Sequence, residues 1–112
     1  MGDGLTRAWE GGRVRHARFD VAHLAIEGID LPLKAAYLLV AEREELAHLD
    51  WECLAFALDD APLSQQRYQV AMSLLFDDRT VTGPAILVRS VEGAHVLRGD
   101  GPLDGIAPDD LT

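Results

Sequence analysis

The stretch from Arg67 to Arg98 constrains the fold more than any other. Tyr68, Val70, Met72, Leu74 and Phe76 fall on one face at a period of two, and Gln69, Ala71, Ser73 and Leu75 fall on the other. That alternation is what a half-buried strand requires. A helical reading would put Gln69, Ser73 and Phe76 on one stripe and mix polar with apolar. Asp77-Asp78-Arg79-Thr80 follows as a polar turn, because short carboxylates bond local backbone amides. The run Val81–Val91 then resumes the alternation, so the stretch predicts a β-hairpin. Both faces of Ala85–Val88 are apolar, as in a strand covered on both sides or one that meets a partner. Gly83-Pro84 predicts a bulge or an edge segment, since proline cannot donate to a ladder. Glu92-Gly93 is the next turn, and Ala94–Arg98 returns as a short strand.

Before the hairpin the pattern is looser. Residues 1–12 carry four glycines and read as a flexible leader, with Trp9 able to pack back onto the body. Arg13–Glu27 predicts a first strand or a bent pair. Phe19, Val21, His23 and Ala25 alternate there with Asp20, Ala22, Leu24 and Ile26. Gly28 and Asp30-Leu31-Pro32 interrupt it. Leu33–Leu58 is rich in good helix formers, and Pro32 could open a helix. Its apolar residues nevertheless form two blocks, Ala35–Ala41 and Leu49–Leu58, split by Glu42-Arg43-Glu44-Glu45. Two strands joined by a loop over Glu42–His48 are favoured. The alternative is one helix within residues 33–47, which would make the chain α+β. Asp59 to Gln66 is a loop by composition. Residues 99–112, with three glycines, two prolines and four aspartates, form an irregular tail that Leu103 and Ile106 can pin to the body.

The expected architecture is one mainly β domain over residues 13–98, a small antiparallel barrel or sandwich of about six to seven strands. A chain of 112 residues can bury such a core without staples. Ten basic against nineteen acidic residues give a net charge of −9. That argues against nucleic acid and anionic membranes as partners, because both need clustered Lys and Arg. Four of the basic residues (Arg7, Arg13, Arg15 and Arg18) lie in the first eighteen positions and read as a solvated strand face. The lone Cys53 excludes an intrachain disulfide and fits a reducing compartment. No segment reaches the ~18 apolar residues of a membrane span and no signal-peptide pattern opens the chain. The expected location is cytoplasmic.

No motif compels a chemistry. His16, His23, His48 and His95 are scattered, without the close spacing of metal ligands, so no metal site and no cofactor is expected. His23 and His95 are the pair a folded sheet could bring together. Cys53 lies between Glu52 and Leu54, where nearby acids oppose a thiolate. Asp59-Asp60, Asp77-Asp78 and Asp109-Asp110 sit in expected turns, where water screens them. Counted from Asp100, a calcium loop would need an acid at Pro102 and a glutamate at Leu111, so the motif fails. Ser64, Ser73 and Ser90 stand apart in sequence from any histidine, and no catalytic residue is assigned.

Two function classes remain. The first is a non-catalytic interaction or assembly module, self-associating (as a dimer) or binding a protein partner, a basic one by charge. Its support is the doubly apolar runs Ala35–Ala41, Leu74–Phe76 and Ala85–Val88. The second is a small-ligand-binding β-barrel with at most a minor enzymatic activity. Tyr37, Trp51, Phe56 and Tyr68 would line its pocket, with His23 or His95 as a polar contact.

Overall fold

A computed structural model describes residues 15–111. Seven strands follow one another: β1 (His16–Ile26), β2 (Ile29–Leu31), β3 (Leu33–Ala41), β4 (Asp50–Ala57), β5 (Arg67–Leu74), β6 (Thr80–Val91) and β7 (Ala94–Gly99). All pairings are antiparallel. Six strands run β1–β3–β4–β7–β6–β5 around the sheet, and β5 pairs back onto β1, so the sheet closes into a barrel. Closure removes the unpaired edges that an open sheet of this size would expose. The extra strand β2 hairpins onto the end of β1. The architecture is therefore the barrel, not the sandwich. The leader, Trp9, Arg7 and Arg13 lie outside the described residues.

The period-two pattern explains the strands. Val70, Met72 and Leu74 face inward from β5, and Val81, Ala85 and Leu87 from β6. Ala36, Leu38 and Val40 of β3 do the same, opposite Trp51, Cys53 and Ala55 of β4. No helix forms within residues 33–47: Ala36, Leu38 and Val40 are buried in alternation along β3, which a sheet satisfies and a 3.6-residue repeat does not. The loop between β3 and β4 covers Glu42 to Leu49, close to the expected Glu42–His48. Two-residue turns at Glu27-Gly28 and Glu92-Gly93 take positive φ at both positions. That twist matches the strands they join.

Two local expectations are corrected and a third resolves to one of its alternatives. At Gly83-Pro84 the edge segment forms and the bulge does not: the register of β5 with β6 runs unbroken there, the β6–β7 ladder stops at Ala85, and the irregularity of β6 falls between Leu87 and Arg89. Thr82 exchanges both backbone bonds with Asp104, so Pro84, two residues on, turns its nitrogen to the place where β7 gives way to the tail. Asp100 donates its N–H to the Pro84 carbonyl oxygen there at 2.8 Å, and the proline, having no N–H, returns no bond. In β1 the register shifts between Val21 and His23, so Leu24 turns inward and His23 outward. Phe76 lies past the end of β5 and is 89% exposed, off the inward face expected for it.

Large apolar side chains occupy the interior. Trp51, Leu24, Leu38, Met72, Leu87, Leu97 and His95 are among its largest fully buried side chains. The tail belongs to the same core, because Leu103, Ile106 and Leu111 are buried in it. A single 3-10 turn, Pro108–Asp110, lies near its end.

Candidate functional site

A barrel wall has two faces. With the inner one filled, the outer face of a monomer is expected to be polar. Across β3, β4 and β7 it is not. The register aligns Tyr37 with Leu54 and Val96, and Ala35 with Phe56 and Ala94. These residues alternate with the buried set, so they stand outside. Tyr37 and Phe56 meet edge to face, with ring centroids 6.4 Å apart and planes at 72°. Phe56, Ile86, Val88 and Val91 are large exposed apolar residues on β4 and β6, and Leu58 just past β4 is another. Charge brackets the patch. The next row carries Leu39, Glu52 and Arg98, and the Arg18 guanidinium lies 4.3 Å above the Tyr37 ring centroid.

Beside this wall, between β1 and β3, runs an open cleft of about 650 Å3. Leu33, Ala35, Tyr37 and Leu75 give it apolar sides, and Arg18, Asp20, His23 and Lys34 give it charged or polar ones. Leu75 reaches the cleft because its backbone N–H donates to the Asp20 carbonyl oxygen at 2.8 Å. Phe76, the next residue, is left projecting from the turn.

The six residues expected to line one pocket are divided by the barrel wall. Tyr37 and Phe56 are paired on the outside, and His23 is exposed. Trp51, Tyr68 and His95 are buried. Trp51 donates to the Gly101 carbonyl oxygen at 3.0 Å, and Tyr68 donates to that of Ser64 at 2.6 Å, so both polar handles hold the chain's own loops. His23 and His95 lie on opposite faces of the wall. Among the described residues no group of three His, Cys, Asp or Glu is placed to hold a metal ion.

The reactive-residue candidates have structural partners. Burial, with Glu52 adding to it, pushes the Cys53 thiol up to about 12, so it stays protonated. The Asp59 carboxylate accepts the Ala61 N–H within its own turn. Asp77 and Asp110 both bind Arg79, at 2.6 and 2.9 Å; that guanidinium is the main cause holding Asp77 below the ordinary range, whereas Asp110 is lowered first by the Ala107 N–H it accepts and then by Arg79.

Sequence spacing concealed one contact. Ser90 Oγ lies 2.9 Å from His95 Nδ1 and accepts the Leu63 N–H at 3.0 Å. A two-residue turn at Glu92-Gly93 pairs residue 90 with residue 95, so the turn itself carried the signal. Both residues are covered by the loop before β5, which suits a structural role better than attack on a substrate.

Among the described residues no helix is long and apolar enough to cross a membrane. Comparison with protein-family models, curated proteins and solved structures finds no match to this chain.

Proposed function

We propose that this protein is a non-catalytic interaction module that works through the outer wall of its barrel, self-associating or receiving a protein partner. The observation that carries the reading is the Tyr37–Phe56 pair. It centres an apolar strip spanning β3, β4 and β7, on a barrel whose core is already complete without it. Exposed contiguous apolar surface rimmed by charge is the usual mark of a protein-binding face. The net charge of −9 keeps the remaining surface soluble and favours a basic partner over nucleic acid. A small ligand inside the barrel is the weaker reading, because Trp51, Met72, Leu87 and their neighbours occupy that space.

Light scattering at a low and a high protein concentration tests the self-associating form, with Phe56→Lys as the control. Mass that rises with concentration in the wild type and stays monomeric in the variant supports the wall as the interface. Concentration-dependent mass that Phe56→Lys leaves unchanged argues against it.

A further inference from the structure

We infer that the occupant of this surface is a second copy of the chain, paired about a two-fold axis, with Phe76 of each copy seated in the other's β1–β3 cleft. The inference rests on the reading of the outer wall as an interaction surface and names its partner and contacts.

The knob is unusual for an isolated subunit. Phe76 is 89% exposed at the tip of the β5–β6 turn, an aromatic side chain with almost no cover of its own. The socket is close by. Leu75 lines the cleft, and Phe76 is the next residue in the chain. A knob and a socket this close on one surface satisfy each other when two copies meet about a two-fold axis passing near Leu75, because an isologous contact uses the same patch twice.

Charge fits the same pairing. The knob is followed by Asp77, which Arg79 of the same turn holds at 2.6 Å, and by Asp78, which adds an exposed negative charge. The socket carries Arg18 and Lys34 against one acid, Asp20, which lies 3.7 Å from Arg18, so two positive groups less one negative leave it net positive on a chain of net charge −9. An acidic knob entering a cationic socket is attractive in this arrangement and repelled by the acidic surface elsewhere.

The area is adequate once the wall is included. A Phe side chain carries about 150–250 Å2, so two knobs and their sockets supply roughly half of the ~1,600 Å2 that a standard interface buries. Tyr37 belongs both to the socket and to the apolar wall, so the seated knobs bring the walls beside Tyr37 into the contact.

Sedimentation equilibrium of the full chain tests the inference. The wild type is expected to dimerise, and Phe76→Ser to weaken the dimer by about 30-fold or more, the scale of an aromatic hot spot. Phe76 packs on little within its own chain, so the variant should unfold like the wild type. Lys34→Glu and Asp78→Lys should each weaken dimerisation, and the double variant should recover much of the loss, because the exchanged charges face each other across the two-fold. A dimer that Phe56→Lys abolishes but Phe76→Ser leaves intact overturns the knob while sparing the wall. A wild-type monomer at every concentration overturns the dimer itself.

Discussion

The indole N–H of Trp51 donates to the Gly101 carbonyl oxygen at 3.0 Å, which ties β4 to the start of the C-terminal tail. The ring can lie there because two strands leave room for it. A Cβ on Gly99 would sit 2.5 Å from Trp51 Cε2, and one on Gly83 2.9 Å from Cζ2 and 2.9 Å from the Pro102 carbonyl oxygen. Neither glycine has a positive φ, so close approach, and not backbone freedom, is the reason for them. Glycine in the middle of a strand otherwise weakens it.

Gly99→Ala is therefore expected to destabilise the fold by about 1–3 kcal/mol, the range for overpacking a filled core. Trp51→Phe keeps most of the ring and leaves the Gly101 carbonyl without its donor, at a cost of about 1–3 kcal/mol. Urea unfolding measures both. Hydrogen exchange should show Trp51→Phe loosening the amides of Asp104 and Leu111 before those of β4. Uniform protection loss across the barrel would mean that the bond does not anchor the tail.

The tail has a second anchor at Arg79, which binds Asp77 at 2.6 Å, Asp110 at 2.9 Å and the Gly105 carbonyl oxygen at 3.3 Å. The folded state holds both carboxyls below their ordinary range. Their contribution is therefore present above the unfolded carboxylate values near ~4 and is lost as pH falls through the lowered folded values. Arg79→Gln should free the 3-10 turn at neutral pH and change little in strong acid, where the carboxyls are protonated in both proteins. Exchange of the Leu111 amide, which donates to Pro108, reports on this. An equal effect of Arg79→Gln at both pH values would argue against the ion pairs.

These anchors show what was legible in the sequence and what was not. Strand positions were legible because burial repeats every two residues along β3, β4 and β5, and the polar loop between β3 and β4 is long. Phase was not. The shift after Val21 reverses which side chains of β1 face inward, and nothing in Ala22-His23 announces it. The same is true after Leu87 in β6. A one-residue slip moves a whole segment to the other face, and His23 left the expected pocket for that reason. Tyr37 and Phe56 left it for a simpler one. An aromatic in a doubly apolar strand has two possible faces, and only the register with Trp51 and Cys53 decides between them. Gly83 was legible as an anomaly but not as a cause, because Trp51 lies far away in sequence.

Cys53 gives an independent check on barrel closure. It is fully buried, and its thiol is pushed up to about 12. A disulfide reagent should modify it at neutral pH only as fast as the barrel opens, and denaturant should raise the rate in parallel with unfolding. Rapid labelling of the native protein would show that β4 breathes away from β3 or β7 without global unfolding.

His95 supplies the last prediction. It is 1% exposed, its Nδ1 faces Ser90 Oγ, and its Nε2 is buried with no hydrogen-bond partner in the structure. Desolvation lowers its basicity, and Asp59 opposes this more weakly. A histidine whose folded value is lowered favours the neutral form. The stability is then complete above the unfolded value of ~6.5 and declines as pH falls toward the lowered folded value, because only the unfolded chain takes up the proton in that interval. Urea midpoints should therefore start to fall as pH drops below about 6.5, in advance of the loss at Arg79. His95→Leu should flatten that limb while leaving the acid limb in place. Ser90→Ala should cost about 1–3 kcal/mol by leaving the Leu63 N–H and His95 Nδ1 unpaired, with faster exchange at Leu63. A midpoint profile that keeps its slope just below about pH 6.5 in His95→Leu would assign the titration to another group.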